Sequence, residues 1–294
     1  VLFYAVGSNE TNVVRELLQE LKRSFNGVEY TRRLESRIRD EGYVTLGISG
    51  GTTTLMVAMM TASPEIVSML LKFGANPTLC DNIGADSIMY AAIFGRSDNI
   101  SMWLSKFPMW NLSRGTKVNG ATALHCAVYF GQNKLETVRV LLEAGGDLFI
   151  RNDGGASIVM NAVDSEDSDP VVVQYLLSVF KKQYSKRELI SELNYRRRAK
   201  TFKWKGIYTV AKALYRSGLS KSELFESLAF EIGSTGLSCA VFRGDVEIVK
   251  LLLDAGADPY IENELGMNAF GICEKCGPFP NITKALLRHA SEEG

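Results

Sequence analysis

Cys273 and Cys276 stand three residues apart, the spacing of half a zinc site. A structural zinc takes four ligands. No second Cys pair exists, and His289 is the only His nearby. The pair therefore reads as two ordinary thiols. Gly47 to Thr54 resembles a phosphate-cradling loop, but the Lys-Ser/Thr that follows the Gly of a P-loop is missing. His125 would need a nucleophile or acid beside it to do acid–base work. The chain has only two His, so such chemistry is poorly supplied. No carboxylate pair, nucleophile–base set or metal cluster stands out. These residues predict a protein that is not an enzyme and holds neither cofactor nor metal.

One segment is chemically distinctive. From Lys181 to Lys205 there are ten Lys or Arg and two Glu, in a chain whose formal net charge is zero. Its centre carries Arg196, Arg197, Arg198, Lys200, Lys203 and Trp204. Cations of this density neutralise phosphates, and Phe202 and Trp204 are able to stack on bases. The same residues suit an acidic protein groove or an anionic membrane surface, or a plain solvated linker. An exposed segment binding mainly through charge is expected, with an acidic protein ahead of nucleic acid.

The rest of the chain repeats one skeleton. Gly51-Thr52-Thr53-Thr54-Leu55-Met56-Val57-Ala58 opens a unit that closes on Leu70-Leu71 and Gly74-Ala75. Similar openings start at Gly84, Gly120, Gly155, Gly233 and Gly266. A Gly permits a tight turn. A hydroxyl two residues later caps a helix. An Ala seven residues after the Gly allows two helices to approach closely, and a Leu pair faces the neighbouring unit. One unit cannot bury its own apolar face, so the stack is the stable object.

Gly120-Ala121-Thr122-Ala123-Leu124-His125-Cys126-Ala127 and Gly233 to Asn263 carry the resemblance furthest. The chain resembles the ankyrin-repeat family, in degenerate form. No unit has Pro at its fourth position, and only His125 keeps the family His. The resemblance implies an all-α solenoid of about seven stacked helix pairs with two insertions and no extended sheet. Residues 1–180 are expected to hold N-terminal repeats, the first cut short at Leu2 to Leu18. An insertion near 19–50 is read as a lengthened second helix and a loop, with charges at Lys22, Arg23, Arg32, Arg33, Arg37, Arg39, Asp40 and Glu41. Residues 181–205 are read as an inserted basic helix or linker. Residues 206–294 are read as C-terminal repeats, the first an eroded unit over Gly206–Ile232 that includes a capping box from Ser220 to Glu223.

The resemblance also implies the work. Such stacks hold another macromolecule through a concave face and hairpin tips. Carried onto this chain, the face comprises Met60, Thr61, Ile93, Phe94, Tyr129, Phe130, Asp164, Ser165, Phe242 and Arg243. The tips are Asn82-Ile83, Val118-Asn119 and Glu264-Leu265. Large apolar groups there suit interface anchors, unless the chain's own insertion folds over them. A non-catalytic scaffold or adaptor is expected. The alternatives are a regulatory domain of a larger enzyme or channel, or a subunit of a large assembly bound through the basic insertion. A start inside a repeat favours a piece of something longer.

Apolar content of 46% with 22% charge fits a folded chain and excludes a disordered one. No apolar run is long enough to span a bilayer. Cys80, Cys126, Cys239, Cys273 and Cys276 form an odd set that predicts reduced thiols in an intracellular, cytoplasmic protein. The glycosylation patterns at Asn9, Asn99, Asn111 and Asn281 are read as chance.

Overall fold

A computed structural model describes residues 1–38, 49–219 and 222–292. The inserted charges Arg39, Asp40 and Glu41, the glycine-rich start at Gly47 and the Ser220 capping position lie outside the described residues. Among the described residues the structure is helical, with one isolated bridge between Arg37 and Thr53 and no strand. The chain divides into two compact units, Val1–Asp147 and Leu148–Gly294.

Unit 1 contains four helix pairs: α1 (Leu2–Gly7) with α2 (Thr11–Ser24), α4 (Thr54–Thr61) with α5 (Pro64–Lys72), α6 (Ser87–Ile93) with α7 (Ser97–Lys106), and α8 (Ala123–Phe130) with α9 (Lys134–Glu143). The first helices pack in series, α1 on α4, α4 on α6 and α6 on α8. The second helices follow the same order, α2 on α5, α5 on α7 and α7 on α9. The lengthened second helix is α2. It is followed by a separate short helix, α3 (Gly27–Leu34), packed against it.

Unit 2 contains α10 (Ile158–Asp164) with α11 (Pro170–Gln183), α15 (Gly236–Arg243) with α16 (Val246–Asp254), and α17 (Ala269–Cys276) with α18 (Pro280–Glu292). Between the first two pairs come α12 (Lys186–Leu193), α13 (Phe202–Ser217) and α14 (Glu223–Glu231). The expected eroded repeat over Gly206–Ile232 is corrected here. α15 packs directly on α10, and α16 on α11, while α13 and α14 pack on each other. The gap is a helical side branch, not a layer. Gly206 lies inside α13 and makes no turn.

Each layer is built by the same local chemistry. The side chains of Thr53, Asp86, Thr122, Ser157, Thr235 and Asn268, each two residues after the opening Gly, accept from the backbone N–H three residues on. That satisfies one of the unpaired donors at each helix start. His125 completes its box by accepting the Thr122 N–H on Nδ1 at 3.3 Å. Where His is absent, the Met56 sulfur takes that N–H from Thr53 at 3.4 Å. Ala58, Ala91, Ala127 and Ala240 are fully buried where helices meet. Cys273 holds the same slot in the last unit, buried, its thiol 3.2 Å from the Thr283 hydroxyl.

The opening glycines end a hairpin turn. Gly51, Gly84, Gly120, Gly155, Gly233 and Gly266 all have φ between +67° and +85°. In the third unit Thr116 donates to Ala121, and Gly120 donates back to Thr116. Asp81, Asn152 and Asn263 make the same exchange in their own units. Ile38 makes it with Gly51 and Thr52, and Arg197 makes it with Gly233 and Ser234. In these two units the residues that make the exchange are far apart in sequence, Ile38 with Gly51 and Arg197 with Gly233, so the hairpin is closed across extra chain.

Candidate functional site

In unit 1 the expected groove residues sit at the C-terminal ends of the first helices. Packing position decides their exposure. Met60 is buried, one residue before the end of α4. Ile93 and Phe94 at the end of α6 are half-buried. On α8, Ala123 to Val128 are all buried, Tyr129 is half-buried, and Phe130 is 59% exposed. The Tyr129 and Phe130 rings meet edge to face at 4.6 Å. Ile83 and Val118 at the hairpin tips are also exposed. Met60 is thus part of the core and offers nothing to a partner.

In unit 2 the corresponding positions are already occupied. The half-buried Phe242 ring lies 4.8 Å from Phe230 of α14, and Phe230 lies 5.5 Å from Tyr215 of α13. The side branch thus covers Phe242. Arg243 is exposed along its length, but its guanidinium donates to the carbonyls of Asp164 at 3.1 Å and Glu166 at 3.5 Å. There it satisfies acceptors left free at the end of α10.

The basic segment is not uniformly exposed, and Arg197 requires the largest correction. Its side chain is only 4% exposed and forms ion pairs with Asp164 and Glu231. Its NH2 group also lies 3.9 Å from the Cys239 sulfur. Burial disfavours the Arg197 charge, but Asp164 and then Glu231 outweigh it and hold the guanidinium firmly ionised. Burial pushes the Glu231 carboxyl up, against the pull of Arg197. Arg197 therefore faces inward and is spent on this chain.

Its neighbours divide. Arg196 donates through Nε to the Gly233 carbonyl at 3.2 Å. Lys200 donates through Nζ to the Arg151 carbonyl at 3.0 Å, and its backbone N–H bonds to Asp153. Trp204 is half-buried, its ring 5.7 Å from Tyr208, whose hydroxyl donates to Gly154. Arg198, Lys203 and Phe202 are exposed. The sequence reading missed the Asp164–Arg197–Glu231 cluster. Its partners lie more than thirty residues away on either side, and the only local signal was a cation where three other units place Asp81, Asn152 or Asn263.

Three of the thiols, Cys126, Cys239 and Cys273, are inward groups, and Cys80 and Cys276 are half-exposed. Cys126 and Cys239 are buried, and all five cysteines are free. Burial pushes the Cys126 thiol to about 12 and the Cys239 thiol well above its usual value. Among the described residues no group of three His, Cys, Asp or Glu is arranged to hold a metal ion. No helix there is long and apolar enough to cross a membrane. Asn99 is buried, and its Nδ2 donates to the carbonyls of Met59 at 3.2 Å and Ala62 at 2.9 Å. This sequon nitrogen is therefore enclosed in the fold.

Comparison with known proteins follows the same pattern. The family description "Ankyrin repeats (3 copies)" matches residues 88–187, and "Ankyrin repeat" matches residues 50–82 and 233–264. Together they span more than half of the chain. The Gallus gallus "Nuclear factor NF-kappa-B p105 subunit" is 26% identical over 215 residues, covering 72% of this chain and 17% of that protein. The Caenorhabditis elegans "ANK repeat-containing protein nipk-1" is 26% identical over 179 residues, covering 56% and 27%. The chain thus spans about a quarter or less of the length of these relatives. The crystal structure of the ankyrin repeat domain of Bcl-3, described as a unique member of the IkappaB protein family, aligns with a TM-score of 0.61 at 20% identity. That alignment covers 97% of this chain and 96% of the other, and it shows the shared fold. With the capped first helices, the buried small residues and the hairpin glycines in the family register, the chain belongs to the ankyrin-repeat family and is a protein–protein interaction domain.

Proposed function

We propose that this domain is a non-catalytic scaffold or adaptor. It engages its partner in unit 1, through Phe130 with Tyr129, Phe94 and Ile93, flanked by the tips at Ile83 and Val118. One observation supports this above the others: α8 buries every residue up to Val128 and then presents Phe130 to solvent, braced by the Tyr129 ring. An exposed ring braced by a half-buried one is a favourable anchor, because little side-chain freedom is lost on binding. The names of the relatives, which include an NF-kappa-B subunit and an IkappaB-family member, favour a protein partner. Arg196, Arg198, Lys200 and Lys203 provide a second contact for an acidic surface. A reducing intracellular compartment, the cytoplasm, fits five free thiols.

The test is affinity capture with the domain as bait, followed by mass spectrometry. Phe130→Ala removes the most exposed anchor, and a thermal melt checks that the fold is kept. Partners should be lost, with little dependence on salt. Changing Arg196, Arg198 and Lys200 to Ser should weaken capture mainly at low salt, where the screening length is about 10 Å at 0.1 M. Unchanged capture by Phe130→Ala would remove the aromatic site. A second reading is a regulatory domain within a larger enzyme or channel. It is favoured by the small share of its relatives that the chain spans, and sequencing the full reading frame decides it.

A further inference from the structure

The side branch leaves a cleft of about 350 Å³ within unit 2. Its walls are the extended segment Arg197 to Ala199, one face of α13, Ile232 just after α14, and Glu264 of the next hairpin. Arg197, Arg198, Lys205 and Lys212 line it, against a single carboxylate, Glu264. Lys205 and Lys212 share one helical face with Thr209 between them, at spacings of four and three residues. Like charges so placed repel, and one carboxylate offsets them only in part.

These cations differ in what they already hold. Arg197 is committed to Asp164 and Glu231. Lys212 meets Glu264 at 2.6 Å, and Arg216 adds a cation beside the Glu264 carbonyl at 3.3 Å. Arg198 is exposed and has no side-chain partner among the described residues. Lys205 lies 5.3 Å over the Phe202 ring and pairs with no carboxylate among the described residues. Their main chains are nonetheless held in place. The Arg198 main chain is wedged against Gly155, and Lys205 sits in the first turn of α13. Cations held apart on rigid elements suit an anion whose binding needs little reorganisation.

The size and charge select the anion. Ligand pockets run from about 300 to 1,000 Å³, so this cleft takes one small group rather than a whole cofactor. A phosphate monoester brings a charge of about −1.5 to −2 and three acceptor oxygens. That occupies the Arg198 fork and the Lys205 ammonium together, which a single carboxylate does less well. We propose that this cleft binds the phosphoryl group of a phosphoserine or phosphothreonine side chain on a protein partner. The inference rests on the reading that the partner is a protein, and it adds the chemistry that partner must display.

The experiment probes a peptide array with the full chain. Each random-flank peptide is printed with phosphoserine, Ser or Glu at its centre. Binding should appear for phosphoserine, fade for Glu and vanish for Ser. The Arg198→Ser/Lys205→Ser variant should lose about tenfold or more, the scale of one or two charge-assisted hydrogen bonds, with an unchanged melt. Lys284→Ser, at an exposed position of α18 outside the cleft, should bind as wild type. Equal binding to Ser peptides, or full phosphopeptide binding by the double variant, overturns the proposal. So does binding of inositol hexakisphosphate or phosphatidylserine vesicles through Arg198 and Lys205 without any phosphopeptide binding; that result would assign the cleft to a free anion or a membrane. Partner loss on Phe130→Ala is read separately, so the aromatic site stands or falls on its own.

Discussion

Arg198 lies with its main chain directly against Gly155, leaving no room for a Cβ at that position. Gly155 also holds φ at +84°, where L side chains are strained. Gly155→Ala should therefore destabilise unit 2 by about 1–3 kcal/mol or more. Gly206→Ala is the matched opposite. Gly206 is inside α13, exposed, and nothing lies within 4 Å of an added Cβ. It should stabilise by about 0.5–1 kcal/mol. Denaturant melts of both variants check the pair, and a loss from Gly206→Ala would restore that glycine to a turn.

Removing Arg197 should cost more than removing any other cation of the segment. Arg197→Ala leaves Asp164 and Glu231 facing each other, largely buried, at an expected loss of about 3–5 kcal/mol. Arg198→Ala and Lys200→Ala, at exposed positions, should fall within about 0.5 kcal/mol. Combining Arg197→Met with Asp164→Asn and Glu231→Gln should recover much of the loss, because no uncompensated charge remains. Equal melts for Arg197→Ala and Arg198→Ala would contradict the buried cluster.

The thiols give a pH dependence with a definite sign. Burial raises Cys126 to about 12 and raises Cys239 as well, whereas an unfolded thiol titrates near 8.5. The folded state therefore holds its protons longer. The stability linked to these thiols is fully present below about pH 8.5 and is lost as pH rises from there toward about 12. At pH 8 iodoacetamide should label the half-exposed Cys80 and Cys276 first and reach Cys126 and Cys239 only on unfolding. Mass spectrometry of the labelled peptides measures the order.

Core packing predicts a fourth group of outcomes. Ala127→Leu or Ala240→Leu should cost roughly 1–3 kcal/mol by overpacking. Leu252→Ala, at a fully buried position, should cost roughly 2–5 kcal/mol through the cavity left behind. Thermal melts with no loss in any of the three would mean that the register is wrong.

Much of this fold was legible because each layer is specified locally. A Gly that must take positive φ, a cap two residues later and an Ala five after that all lie within eight residues. They set the hairpin, the helix start and the helix contact in turn. Met56 in place of His still completes its cap, so the register survived the substitution. The side branch was not legible for the opposite reason. Gly206 and Ala213 mimic the repeat spacing, but whether a helix pair joins the stack depends on α10 meeting α15, which no local pattern records. The candidate site was read only in part. Ile93, Phe94, Tyr129 and Phe130 lie at helix ends because the repeat register is local, while burial of Met60, coverage of Phe242 by Phe230 and the inward turn of Arg197 arise from distant residues.

The ion pair between Arg197 and Glu231 has a consequence for chain entropy. The hairpin that Asp81 and Ala85 close over three residues is closed by Arg197 and Ser234 over thirty-six. Each doubling of a flexible loop adds only about 0.6 kcal/mol of closure cost, so the long route costs roughly 2 kcal/mol more than the short one. Glu231 lies at the far end of that route, three residues before Ser234, and bonds to the residue that begins it. The pair fastens the neck of the branch from both sides, so the branch can fluctuate or bind without pulling apart the layers it leaves and rejoins.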